Sequence, residues 1–359
     1  MRSTQHFSYM SYLCLFEKYK RSFTISVAAV LCRAVIFKTL LYTVTPRISL
    51  FIITIIAISA SAYAQQTQFT KASRGLQTEF EYTWQHQDAE YTLLFAIQTA
   101  TLYAMPPSPP AYSHKLFQAH LYAKVMETAK NVDPKIANID IRKNHSGLSF
   151  NVSSHQPAQA QKVLDKLTLA HDKAKEDYLS ANYFVKYKSA TGASGIRHDH
   201  AKYTFNSSGS LSPIVEAIKE LQTNPRDLRE FISIALSWIQ SIPYNSLQDR
   251  LSSNGAGFVS PRDLMLQNQG DCDSKSTLMS ALLDAYNASI DIQMVYLPQH
   301  ALLAINIRNN DSEMTLSYKG NDYVLLEPTG PAQLAIGEVA ESTKLSLRNR
   351  HFDLASMSR

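Results

Sequence analysis

Along Leu76–Trp84, residues Leu76, Thr78, Phe80, Tyr82 and Trp84 fall on one side, and this period of two predicts a β-strand. Tyr91–Tyr103 is apolar and compatible with a strand or a helix. Met105–Ala111 carries four prolines and reads as a loop, because proline fixes φ and has no backbone N–H. Leu116–Val132 has helical spacing and is closed by Pro134. Ile136–Ile141 and Leu148–Val152 read as short strands around His145-Ser146-Gly147, and Gln156–Tyr178 as a helix rich in Ala, Lys and Leu. Tyr183–Tyr187 and Ala201–Phe205 read as strands joined by a Gly/Ser-rich turn, so the succession up to residue 205 suggests a split β-α-β sandwich.

Asn206–Ser210 clusters small polar residues and is the expected domain boundary. Two helices are predicted beyond it, Pro213–Gln222 and Asp227–Gln240, the second with Phe231, Ile234, Ala235 and Trp238 on one face. A polar loop then runs to Gly255–Phe258. Leu278, Met279, Leu282, Leu283 and Tyr286 predict a helix over Cys272–Asn287, with Asp271 as its N-cap. Val295–Ile305 and Tyr323–Thr329 are strand-like, the first carrying His300 behind a proline turn and the second ending in Glu327. The expected fold is α+β: a leader over 1–64, a smaller α+β domain of unassigned role over 65–208, and a second domain over 209–345. No internal repeat or low-complexity tract interrupts this order.

The leader reads as an export signal. Arg47 precedes the 13-residue apolar run Ile48–Ala60, and Ala62-Tyr63-Ala64 supplies the small residues at a cleavage site after Ala64. The run falls short of the ~20 residues of a bilayer span, and the competing reading is an uncleaved N-terminal membrane anchor. Phe23–Val44 is apolar but broken by Arg33 and Lys38, which suggests a natural start downstream of Met1. A periplasmic or secreted location is expected.

Charge changes the picture once it is located. The chain carries a formal +5, yet residues 1–64 hold seven Lys/Arg and one acid, which leaves 28 basic and 29 acidic residues beyond them. The basicity belongs to the leader, so the argument for a nucleic-acid partner disappears. Cys14 and Cys32 also lie in the leader, and Cys272 is the sole cysteine after it. In an oxidising compartment an unpaired thiol is either an inert core residue or a reactive one. Its position at the first turn of the predicted helix favours the second, because free N–H groups and the macrodipole there stabilise a thiolate. His300 is the candidate base and Glu327 the acid that orients it, separated by 28 and 27 residues in the order Cys272, His300, Glu327.

In these motifs the chain resembles the transglutaminase-like superfamily, whose core is that of papain-like cysteine enzymes. Gly270-Asp271-Cys272-Asp273, then His300-Ala301, then Glu327-Pro328-Thr329 stand in that family's order. The resemblance covers about 214–339 and implies a papain-like core with Cys272 as nucleophile, His300 as base and Glu327 as orienting acid. It further implies Gly270, Asp271 and Asp273 at the helix start that binds the oxyanion, and a protein or peptide substrate. Two positions depart from the pattern: Glu327 stands where the family usually has Asp, and Leu302 or Leu303 where it usually has an aromatic residue. No cofactor is expected. Arg197-His198-Asp199-His200 brings two imidazoles close in sequence but lacks a third ligand, so a polar hairpin edge is the reading and no metal is assigned. The expected activity is hydrolysis of an amide or peptide through a Cys thioester. The alternatives are cross-linking, if a lysine amine resolves the thioester, and a non-catalytic binding module on the same fold.

Overall fold

Among the described residues, twelve strands pair antiparallel in four separate sheets. The computed structural model describes residues 65–357 apart from 145–146, 190–191, 193 and 249–256. The expected leader and most of the loop before Phe258 lie outside the described residues. A three-stranded sheet is formed by β1 (Gln65–Arg74), β2 (Gln77–His86) and β3 (Ala89–Gln98), and the short helix α1 (Thr99–Ala104) follows it. The period of two in β2 has the meaning expected of it, since Phe80, Tyr82 and Trp84 are fully buried. Leu76 departs from that face. It sits in the β1–β2 turn and is 82% exposed.

The next stretch holds α2 (His114–Lys130), the hairpin β4–β5 (Asn138–Asn144, Gly147–Ser153), α3 (Pro157–Ala181) and the hairpin β6–β7 (Phe184–Lys188, Ser194–His198). These elements bury two small clusters of their own, one around Phe117, Leu121 and Phe184 and one around Val125 and Leu167. Among the described residues no split β-α-β unit forms, because each strand here pairs with its sequence neighbour. Ala201–Phe205 is helical, not a strand: it belongs to α4 (His200–Ser208), capped by Asp199 through a bond from the Lys202 N–H. His200, Tyr203, Thr204, Ser207 and Ser208 are its buried residues, the spacing of one helix face.

Asn206–Ser210 does not behave as a linker. Its first three residues end α4, and the Ser210 and Leu211 amides bond back to Ser207 and Ser208 before α5 (Ser212–Leu221) begins. The sheet β1–β3 shares one core with the following helices α5 and α6 (Leu228–Ser241). Trp84 donates its indole N–H to Ser237 at 3.0 Å, and the Tyr82 ring meets Trp238 edge-on at 5.2 Å.

The remaining elements build the centre. Helix α7 (Pro261–Gln267) leads to α8 (Cys272–Tyr286), then to β8 (Ile292–Leu297), β9 (His300–Ile305), β10 (Thr315–Tyr318), β11 (Asn321–Leu326), α9 (Glu341–Arg348) and β12 (Asp353–Ser356). The five strands are ordered β10-β11-β9-β8-β12. Both faces of the sheet centre are covered, so β8, β9 and the end of β11 carry buried apolar runs. Met294, Leu303, Ile305 and Val324 face the main core with α8, while Val295, Leu302, Ala304 and Leu325 face a second cluster that includes Leu347. In α8, residues 274–283 are all buried, and Leu278, Met279, Leu282 and Leu283 have no exposed surface. Burial of each such side chain is worth about 1.5–3 kcal/mol relative to exposure. The fold is mixed α+β. No described helix is long and apolar enough to cross a membrane.

Candidate active site

Cys272 is the first residue of α8, as its spacing predicted. Asp271 caps the helix, its carboxylate accepting from the Ser274 N–H at 3.2 Å and from the Ser274 hydroxyl. Gly270 locks the approach to the helix. Its N–H donates to the Pro243 carbonyl at 3.2 Å, and its own carbonyl accepts from the Asn245 N–H at 3.1 Å. A Cβ there would stand 2.8 Å from Leu264 Cδ1 of α7, so a larger residue would force that side chain to shift.

The electrostatics of the thiol run against the sequence expectation. A helix start and a histidine were expected to lower its pKa, yet it is pushed up to about 12. Burial is the main cause, and the charges of Asp273 and Asp271 add to it. The amide N–H groups of Ala301 and Asp273 stabilise the thiolate, as the helix-start argument requires, but they are outweighed. Asp271 and Asp273 are themselves both raised, foremost by burial, and behave as a coupled pair of carboxyls that resists full ionisation. In the resting state Cys272 is therefore a thiol, half-buried at the edge of the main core.

His300 and Glu327 meet. The two-residue turn Pro298-Gln299 links β8 to β9 and sets the pair Leu297–His300, with Gln299 at φ 64° in the left-handed region. Glu327 follows the end of the neighbouring strand β11, and its Oε1 lies 3.1 Å from His300 Nε2. Its other oxygen accepts from the Ala340 N–H and the Thr343 hydroxyl, each at 3.1 Å. Burial alone would raise the Glu327 pKa, but the hydrogen bond and charge of His300 and those two donors bring it below the ordinary range. The thiol lies beside the N–H of Ala301, the residue after His300, and no hydrogen bond joins thiol and imidazole among the described residues. All three expected residues thus occupy one neighbourhood, with the acid–base half assembled and the thiol–base contact open.

Four further residues gather here, His200, Tyr296, Tyr244 and Lys275, of which only His200 was weighed from the sequence, as a metal ligand. His200 is buried, its Nε2 3.0 Å from Asp273 Oδ2 and its Nδ1 2.7 Å from the Tyr296 hydroxyl. Burial first, then Arg197, pushes its pKa down to about 3, so the ring is neutral near pH 7. A single N–H satisfies both contacts if Nε2 donates to Asp273 and Tyr296 donates to Nδ1. Tyr244 is half exposed, and after burial the charges of Cys272, Asp271 and Asp273 are what raise its pKa, which places its phenol near the thiol. Lys275 is fully buried and donates to the carbonyls of Ile242 and Thr329, tying α8 to the ends of α6 and β11.

The tract Arg197–His200 spans a strand end, a helix cap and a helix start, so its two imidazoles do not share a strand face. Among the described residues no three His, Cys, Asp or Glu side chains are grouped to hold a metal ion. No family model, curated relative or solved structure matches the chain.

Proposed function

We propose that this protein is an exported thiol hydrolase on a transglutaminase-like, papain-like core, acting on amide or peptide bonds through a thioester on Cys272. The observation that carries the reading is the His300–Glu327 hydrogen bond at 3.1 Å, formed beside the start of the helix that Cys272 opens. Because the thiol is protonated at rest, its proton passes to the His300 imidazole as Sγ attacks the carbonyl carbon. The Asp273 N–H and its helix-start neighbours are the donors available to the oxyanion. The imidazolium then protonates the leaving amine as the C–N bond breaks. Water, giving up its proton to His300, cleaves the thioester and frees the acid. Glu327, held by three donors, keeps the imidazole oriented and balances its charge. A lysine amine in place of water would make the same intermediate a cross-link.

Export follows from the apolar run Ile48–Ala60 and the Ala62-Tyr63-Ala64 site. A second reading, a non-catalytic binding module, draws on the raised thiol pKa and the open thiol–imidazole contact. Incubating the full chain with a defined peptide mixture and reading products by mass spectrometry separates the two. New peptide termini with wild type and none with Cys272→Ala are expected; identical product lists from both would leave the binding-module reading.

A further inference from the structure

A cavity of about 780 Å³ borders the candidate site from the side of His200 and Asp273. It touches the site at two points, through Asp273 next to the nucleophile and through Leu297 and Pro298 at the turn that ends in His300. Its size suits a short peptide segment or a drug-sized ligand. Tyr112, Phe184, Tyr187 and Phe352 make its wall in part aromatic. Arg197 from β7 and Arg350 from the turn after α9 both line it, and neither is in an ion pair among the described residues.

Arg197 is the more informative of the two. Its guanidinium lies 3.9 Å from the Tyr296 ring centre and 5.3 Å from that of Tyr187, so two aromatic faces hold it. Its Nε is buried with no hydrogen-bond partner. A buried donor without an acceptor is costly, and a guanidinium presents its N–H groups in a planar fork that matches a carboxylate. The acids that line the cavity limit what it accepts. Asp273 is bonded to His200 and coupled to Asp271, and Asp353 is the other carboxylate. With Asp273 engaged by His200, Arg197 and Arg350 face Asp353 as the remaining carboxylate, a balance that suits one negative charge and disfavours a dianion such as a phosphate monoester.

We propose that this cavity is a substrate subsite for a peptide bearing a single carboxylate, which Arg197 and Arg350 hold while an adjacent apolar side chain lies on the aromatic wall. The carboxylate is either an acidic side chain or a free chain terminus. The subsite deepens the thiol-hydrolase reading and rests on it for the link to turnover, but binding itself needs no chemistry at Cys272.

Calorimetric titration of the full-length Cys272→Ala chain tests it with three peptides of one core sequence: acetyl-Leu-Phe-Glu-amide, acetyl-Leu-Phe-Gln-amide and acetyl-Leu-Phe-Gln with a free terminus. At least one carboxylate form is expected to bind about tenfold tighter than the neutral amide. The form that does so identifies the source of the charge. Arg197→Gln in the same background is expected to erase the preference, and Arg350→Gln, at an exposed position, to reduce it, with melting curves confirming the folded state. Equal binding of all three peptides, no binding at all, or a preference that survives both folded variants would overturn the subsite. A carboxylate preference in a protein whose wild type cleaves nothing would leave the subsite standing and remove the hydrolase reading; cleavage by wild type without any preference would do the reverse.

Discussion

Lys275→Ala is expected to cost the fold about 3–5 kcal/mol, the sum of a core cavity and two stranded acceptors. The side chain has no exposed surface, and its ammonium donates to the Ile242 carbonyl and, at 2.6 Å, to the Thr329 carbonyl. Burial lowers its pKa to about 7, opposed by the charge of Asp271, so the group is held at a desolvation cost that the carbonyls must offset. Those carbonyls belong to the segments that carry Tyr244 and Glu327 into the site. Removing the amine therefore loosens both of them relative to Cys272. Lys275→Met separates the contributions, since it fills most of the volume and donates nothing. Urea unfolding should rank stability as wild type, then Met, then Ala; a variant Ala with a native midpoint would show that the lysine is not a structural tie.

Glu327→Gln is expected to lower kcat by about 10³–10⁴, by analogy with the loss when the acid of a serine triad is made neutral. The geometry explains why an isosteric change is so costly. If the amide oxygen keeps its bond with His300, the amide NH₂ faces the Ala340 N–H, and two donors collide. If the amide flips, its NH₂ donates to His300 Nε2 and holds the ring in the wrong tautomer. Stability responds as well. The folded pKa of Glu327 is lowered, so its contribution is present above the unfolded value of ~4.3 and is lost as pH falls through the folded value. Wild type should lose melting temperature across that acid window, and Glu327→Gln should lose less. Kinetics unchanged in Glu327→Gln would move the orienting role to another residue.

Much of this centre was legible in the residues themselves. The helix opened by Cys272 and the strands carrying His300 and Glu327 follow from apolar spacing, because each element is long or bounded by clear turn chemistry. The pairing of His300 with Glu327 was foreseeable from their order and separation. What escaped depends on contacts distant in sequence. His200 reaches Asp273 across 73 positions, and no spacing rule connects a hairpin end to a helix start. Lys275 reads as a solvated residue until the helix is seen to be buried on every side. The misassigned strand at Ala201–Phe205 had its helical signal in His200, Tyr203, Thr204 and Ser207, polar or aromatic side chains that an apolar pattern does not register. The sign of the thiol shift failed for a related reason. The helix start and its amides are local and readable, whereas the burial and the paired carboxyls that outweigh them are properties of the packed fold.

Because the thiol pKa is raised, the proposed reaction requires Cys272 to attack as His300 removes its proton. Acylation by p-nitrophenyl acetate, followed between pH 6 and 11 by intact mass and peptide mapping, measures that step directly. The account predicts a single acetyl group on Cys272, no such adduct in Cys272→Ala, and a rate at pH 7 reduced about 10²–10⁴-fold in His300→Ala, the contribution of a positioned general base. The deficit should shrink as pH rises toward the thiol pKa of about 12, where hydroxide replaces the imidazole. Acylation of Cys272 at the same rate in wild type and His300→Ala across the whole range, or no acyl group on Cys272 at any pH, would contradict it.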